Sequence, residues 1–351
     1  RVRRTLPRRP APPPAPPLGR HMHIPDGFLD ARTALAAGAL AAAGLGAALR
    51  QVRRAFPPRR VPLIGLAAAF VFAAQLLNFP VAGGTSGHLI GGVLVAVLLG
   101  PSAAVVVMSA VLILQCFLFA DGGVTALGAN IFNLALVAPL VGYAVYRLVR
   151  RAAGEDLRGG LLAAAFAAWC STVAAAIGCA GQLALSHTVA WRVAFPVMAG
   201  VHMVIGLGEA VITALVLVAV ARARPELVDP AAVNGRGRFA GLAAYGVLVS
   251  LGLVVFVAPF ASGLPDGLER AAALLGFEAH AAPAPLVPAP LPGYAVPGLG
   301  SGARSTVVAG CVGVAVAFGV AYLMARLLTP RGGARRRAPL ADAAPHASAS
   351  A

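Results

Sequence analysis

The sequence predicts an all-α integral membrane protein with nine crossings. Three observations carry this. The chain is 59% hydrophobic and 11% charged, where a soluble domain carries about 25% charged residues. Its mean hydropathy is +0.83. Its 28 basic residues are all arginine and fall in short runs between apolar stretches, the pattern by which membrane proteins set their orientation. The net charge of +16 therefore predicts no nucleic-acid partner, because no basic stripe is interleaved with aromatics.

A spanning helix needs about 20 apolar residues. Nine segments are predicted, and the first, 33–49, carries Gly38, Ala42 and Gly46 at intervals of four. Such a stripe lets helices approach closely, either within this chain or against another membrane subunit. The second segment is 61–79. The third, 89–99, is about half a span, and Gly100-Pro101 ends it sharply, which predicts a tilted or partial hairpin with the fourth, 101–120. The fifth to seventh are 127–149, 160–186 and 193–221, and the last two are 239–259 and 305–328.

Counting all nine as crossings places 18 arginines on one side, in the runs 50–60, 147–158, 222–238 and 326–337. The other side holds Arg32, Arg192, Arg270 and Arg304 after the first 21 residues. The arginine-rich side is then cytoplasmic and Met22 faces outward. Residues 1–21 are proline-rich, carry six arginines and lack the apolar core of a signal peptide. Their composition reads as a disordered extension, and the working chain is expected to begin at Met22. Residues 329–351 read as a disordered cytoplasmic tail, and 223–238 as a cytoplasmic linker.

On this topology His23 and His88 lie at the outer face, His88 in the loop Gly84-Thr85-Ser86-Gly87-His88. With a free amine at Met22, that amine, the His23 amide nitrogen and the His23 imidazole close a five-membered and a six-membered chelate ring. His88 supplies a fourth nitrogen. Square-planar nitrogen ligation suits Ni(II) or Cu(II), and binding releases protons because the amide ionises. The bland alternative is a pair of polar surface histidines. The four cysteines lie in apolar runs with no Cys-x-x-Cys pair and read as small buried hydrophobes.

Glu209 lies midway along the seventh segment, with His202 seven residues earlier on the same face. An acid at that depth costs about 2.5–3.5 kcal/mol on insertion scales. It is expected to face the bundle interior near Gln75, Asn130 or Asn133, as a helix-to-helix anchor or as part of a gating path. His202, Glu209 and Asn130 are thus candidates for intramembrane support of the site. The chain has no lysine, which excludes a Walker-type phosphate loop. An ATP-driven process would need a separate ATPase chain.

Several motifs in order are similar to one family. Met22-His-Ile-Pro-Asp-Gly-Phe-Leu29, Gly84-Thr-Ser-Gly-His-Leu-Ile-Gly-Gly92 and Phe119-Ala-Asp-Gly-Gly123 are followed by Leu127-Gly-Ala-Asn-Ile-Phe-Asn133 and His202-Met-Val-Ile-Gly-Leu-Gly-Glu209. Together they resemble the CbiM/NikM substrate-binding (S) subunits of cobalt and nickel energy-coupling-factor (ECF) transporters. The resemblance implies a seven-helix S-component bundle over 22–222, plus two further transmembrane helices. It also implies a metal site at Met22, His23 and His88, Co²⁺ or Ni²⁺ as transported substrate, and no catalytic cofactor. As partners it implies a transmembrane coupling subunit and ATPase subunits. Pro265-Asp-Gly-Leu-Glu269 and Pro292-Gly-Tyr-Ala-Val-Pro-Gly298 resemble the PDGLE (CbiN/NikN-like) accessory module, implied over 239–328. Its loop 261–304 would sit over the metal site or serve as a passive extracellular loop.

Two other classes compete. Gly84-Thr-Ser86-Gly has the Gly-x-Ser-Gly form of rhomboid intramembrane proteases, with His202 on a later helix, and a Ser–His pair activates a nucleophile. The glycine after His202 comes one place late, at Gly206, and the reading leaves Met22-His23 unexplained. A self-sufficient secondary transporter often shows inverted repeats, and no convincing internal repeat is present.

Overall fold

A computed structural model describes residues 22–154, 156–228, 239–300 and 302–329. The predicted extension 1–21, residues 229–238 of the predicted linker and 330–351 of the predicted tail lie outside the described residues.

Each predicted segment contains a helix. Helix α1 (Ala31–Ala55) begins where the Asp30 side chain accepts from the Thr33 backbone N–H at 3.0 Å, a capping bond that satisfies one orphan donor of the first turn. Helix α2 (Val61–Gln75) is 15 residues and α3 (Gly92–Leu99) is 8. Gly100 has φ +92° and Pro101 opens α4 (Pro101–Phe119), so the sharp turn predicted at Gly100-Pro101 is present. Helices α5 (Leu127–Ala153), α6 (Leu157–Leu185) and α7 (Trp191–Ala223) follow. The first part of α5 widens into a π-helix at Ile131–Val137. Pro139, two residues on, has no N–H to return to the preceding turn, and such π stretches concentrate at functional sites.

The last third comprises α8 (Phe239–Phe256), α9 (Gly267–Leu275) and α10 (Ala303–Leu328). Among the described residues, seven helical stretches are long and apolar enough to cross a membrane: α1, α4, α5, α6, α7, Gly241–Phe260 and α10. At 15 and 8 residues, α2 and α3 fall below the length of about 20 that a crossing needs. Leu35, Leu162, Leu215, Leu248 and Leu323 are exposed on the outward faces, as a hydrocarbon surround requires.

Two elements were not foreseen. The second predicted helix stops four residues early because Phe79–Val81 (β1) pairs antiparallel with Thr85–Gly87 (β2). Gly83 and Gly84 carry positive φ in the connecting loop, a conformation other residues disfavour. Within the loop 261–304, α9 is fixed by a reciprocal capping box between Asp266 and Glu269.

The core lies around α2 and α4, where Ile64, Phe72, Met108 and Leu112 are buried. Helix α10 packs directly on α2: a Cβ on Gly313 would stand 2.0 Å from the Phe72 ring. The stripe on α1 is partly resolved by the same criterion. Gly128 of α5 meets Gly38 across a backbone contact, whereas nothing lies within 4 Å of Gly46. The close approach therefore requires glycine at 128, while a Cβ on Gly38 itself would, like one on Gly46, meet nothing within 4 Å.

Candidate metal centre

The N-terminal loop enters the bundle because several groups satisfy its backbone. Asn130, in the last turn before the π-helix, accepts from the Ile24 N–H at 3.0 Å and donates to the Ile24 carbonyl at 3.1 Å. Gly123 N–H donates to the same carbonyl at 2.9 Å. Asp26 accepts from the Thr125 N–H at 2.8 Å and from its hydroxyl at 2.6 Å. The glycines after Asp121 make room. A Cβ on Gly123 would lie 2.2 Å from the Asp26 nitrogen, and one on Gly122 2.9 Å from the His23 Cβ.

These contacts bury His23. Its Nδ1 lies 3.0 Å from Asp121 Oδ1, and the Met22 backbone N–H donates to the same oxygen at 2.8 Å. His23 Nε2 is buried with no hydrogen-bond partner among the described residues. The six-membered chelate ring expected from the sequence uses Nδ1, the atom that here faces Asp121. Burial alone would raise the Asp121 carboxyl, but His23, Tyr294 and the Met22 N–H together hold it below the usual carboxylate range. It is a buried anion with donors on both oxygens.

His88 arrives from the opposite side. Glu209 of α7 accepts from the Ile90 N–H at 2.7 Å and the Gly91 N–H at 2.9 Å, and Gln75 donates to the Ile90 carbonyl at 3.1 Å. Glu209 therefore anchors the backbone just beyond His88. Glu209 was expected near Gln75, Asn130 or Asn133, and it shares Ile90 with Gln75, but its hydrogen-bond donors are two backbone N–H groups rather than side-chain amides. Burial, and next the neighbouring His23, lower the His88 imidazole to about 4. At neutral pH it is uncharged and holds a free lone pair.

The His23 and His88 ring centres stand 6.2 Å apart. Both rings line one cavity of about 80 Å³ together with Met22, Asn133, His202 and Asp266. His202 Nδ1 lies 2.8 Å from the Met198 carbonyl, one turn earlier on α7, which leaves Nε2 toward the cavity. A Cβ on Gly267 would stand 2.7 Å from that Nε2, so only glycine lets the second module approach here. The structure thus brings Met22, His23, His88, His202 and Asn130 to the lining of one cavity, where Asn130 also anchors the Ile24 backbone, and leaves Glu209 behind it as the anchor of the Ile90 and Gly91 N–H groups.

The second module covers the site. The Ser86 N–H donates to the Pro265 carbonyl at 2.8 Å, and its hydroxyl donates to the Leu264 carbonyl at 2.8 Å. Ser86 is thereby committed to backbone carbonyls and bonds no histidine among the described residues, which argues against its acting as a serine nucleophile. The Ala282 N–H donates to the Asp26 carbonyl at 2.8 Å. Tyr294 donates its hydroxyl to Asp121 Oδ2. Burial, then Asp121, raise the Tyr294 phenol well above its ordinary value and keep it a donor. The sequence reading gave Asp121 and Tyr294 no role. Their signal was present but weak: an acid between an apolar helix and two glycines, and a tyrosine between glycine and proline turns.

The family model for the cobalt uptake substrate-specific transmembrane region, CbiM, matches residues 23–227, and the PDGLE domain model matches 240–330. The chain belongs to the CbiM family. A relative in Archaeoglobus fulgidus that carries the fused nickel transport name NikMN is 39% identical over 87% of this chain and 98% of its own length. The fused nickel transport protein NikMN of Rhodobacter capsulatus is 35% identical over 89% of this chain and 100% of its own. A solved structure described as a transition metal transporter is 35% identical, with a TM-score of 0.54, covering 62% of this chain and all of that one. This CbiM-family chain, with its fused PDGLE domain, is a multi-pass membrane protein of cobalt and nickel transport.

Proposed function

We propose that this chain is the substrate-capture subunit of an ATP-driven importer, binding Co²⁺ or Ni²⁺ at the extracytoplasmic face through Met22, His23 and His88. One observation carries the reading: the His23 and His88 rings, 6.2 Å apart, share a cavity with Met22. A metal–imidazole bond of about 2 Å puts a ring centre about 3 Å from the ion, so two imidazoles at adjacent positions of a square-planar ion stand about 4.5 Å apart, and these rings need to close by about 2 Å to share one ion. The Met22 amine and His23 amide complete a nitrogen donor set suited to these ions. The names of the relatives, nickel transport for the fused proteins and cobalt transport for a CbiM protein of Pelobacter propionicus, support the choice of substrate.

Counting α2 and α3 as crossings gives nine, with the arginine runs cytoplasmic and the site outside. The absence of lysine from the chain supports a separate ATPase, coupled through a second membrane subunit. Elemental analysis tests the reading on two purified forms, one starting at Met22 and one carrying residues 1–21. Near-stoichiometric cobalt or nickel in the Met22 form alone supports the terminal amine as a ligand. Equal binding by both removes the amine from the set. Metal uptake into liposomes by this chain alone would instead establish a self-sufficient transporter.

A further inference from the structure

Asp121 lies where the two modules meet. Its Oδ1 takes the Met22 N–H at 2.8 Å and stands 3.0 Å from His23 Nδ1. Its Oδ2 takes the Tyr294 hydroxyl. The carboxylate is 2% exposed and Tyr294 5%. Tyr294 is itself firmly held. Its ring stacks on Phe119 with centres 4.6 Å apart, and the Leu291 N–H, at the start of its turn, donates to the Leu118 carbonyl at 2.9 Å. Phe119 and Leu118 are the residues that end α4 just before Asp121. The second module therefore grips the segment that carries the carboxylate and also donates to the carboxylate itself.

The two nitrogens facing Asp121 Oδ1 are both members of the proposed chelate. A chelate requires its nitrogens to point at a single position before the ion arrives, or the ordering must be supplied on binding. Here one anionic oxygen provides that position for both. A buried carboxylate stays in place only while its oxygens are hydrogen-bonded, and a hydroxyl bonded to an anion is among the stronger such bonds.

We propose that Asp121 is a positioning residue that keeps the Met22 and His23 nitrogens converged for the incoming ion, and that Tyr294 of the second module sets where that carboxylate stands. This rests on the Met22–His23–His88 reading of the site. On this view the fused module acts on the metal site through one phenol. When Ni²⁺ or Co²⁺ takes Nδ1, the proton on that nitrogen passes to solvent and Oδ1 withdraws from the position it held between the two nitrogens, while Oδ2 keeps the hydroxyl of Tyr294 as donor.

The test is Ni²⁺ titration of the full chain in detergent, beginning at Met22, followed by affinity and by the ligand-field absorption of the bound ion. Tyr294→Phe keeps the ring stacked on Phe119 and removes only the hydroxyl. Outer partners of metal ligands are worth about 10–100-fold in affinity, and a loss in that range is expected for Tyr294→Phe and Asp121→Asn. The absorption band of the saturated Tyr294→Phe protein is expected to move, because the donor set is re-aimed. A purely structural tyrosine would lower the folded fraction and leave the band of the folded protein unchanged. Wild-type affinity and an unmoved band in Tyr294→Phe, with binding abolished in His88→Ala, would overturn the proposal and leave the metal site standing. Wild-type affinity in His88→Ala would instead overturn the site and this proposal together.

Discussion

Asn130 grips Ile24 at two points, accepting from its N–H at 3.0 Å and donating to its carbonyl at 3.1 Å. This amide-to-backbone pair fixes the residue immediately after His23. It makes a position inside α5 the seat of the N-terminal loop.

Asn130→Ala leaves the buried Ile24 N–H without its acceptor, at about 1–3 kcal/mol. Weaker Ni²⁺ binding and a lower thermal midpoint are expected. Asn130→Asp keeps the acceptor for the N–H and loses the donor, so its loss should be intermediate. Equal metal affinity in wild type and Asn130→Ala would show that the loop is held without this pair.

Glu209→Gln is expected to destabilise the folded protein in detergent by about 1.5–3 kcal/mol, the range for a hydrogen bond to a charged group. The variant amide presents one NH₂ group toward an N–H donor, where the carboxylate presents two acceptors to Ile90 and Gly91. A shifted His88 should weaken Ni²⁺ binding in the same variant. Thermal unfolding and titration of one preparation check both effects.

Gly123→Ala and Gly46→Ala form a matched pair. The first places a methyl 2.2 Å from the Asp26 nitrogen, and the second meets nothing within 4 Å. Gly123→Ala should displace the N-terminal loop and abolish metal binding. Gly46→Ala, in the exposed part of α1, should bind normally and gain up to about 1 kcal/mol of helix stability. Loss of metal binding in Gly46→Ala without unfolding would point to a function for that face.

Acid should weaken the fold through His88. Its imidazole is lowered from 6.5 to about 4 in the folded protein, so the unfolded chain binds the proton more readily. The contribution is complete above pH 6.5 and is lost as the pH falls toward 4. A thermal scan series across that window should show His88→Gln losing less stability on acidification than wild type. Metal binding has its own pH dependence at higher pH. The Met22 amine, at about 7.7–8.0 in an unperturbed chain, must shed a proton to ligate. Affinity should therefore climb between pH 6 and 8, in a window where His88 no longer titrates.

The transmembrane character and the nine helical segments were legible because apolar runs and arginine clusters are local signals. Met22, His23 and His88 stood out because a histidine directly after a methionine expected to open the working chain, and a histidine beside a glycine-rich turn, are rare enough in an apolar sequence to notice. Glu209 stood out as an acid at membrane depth, and its anchoring role was one of the two readings open to it. Its partners were missed because they are backbone N–H groups, which every sequence position offers equally. Phe79 was read as the last residue of a helix and the strand Phe79–Val81 was not foreseen, because an apolar run shows no period over three residues. Asp121 and Tyr294 were silent for another reason. Each is ordinary alone, and their meaning lies in a contact between positions 173 residues apart.

That separation has a consequence for biosynthesis. At about 5–20 residues per second, roughly ten to thirty seconds pass between the addition of Asp121 to the nascent chain and that of Tyr294. Within that interval the bundle up to α7 is completed, while its carboxylate still lacks the phenol. The cavity is thus finished by the last of the loops between described helices to be made, so on the proposed reading of the site metal capture waits for completion of the fused module.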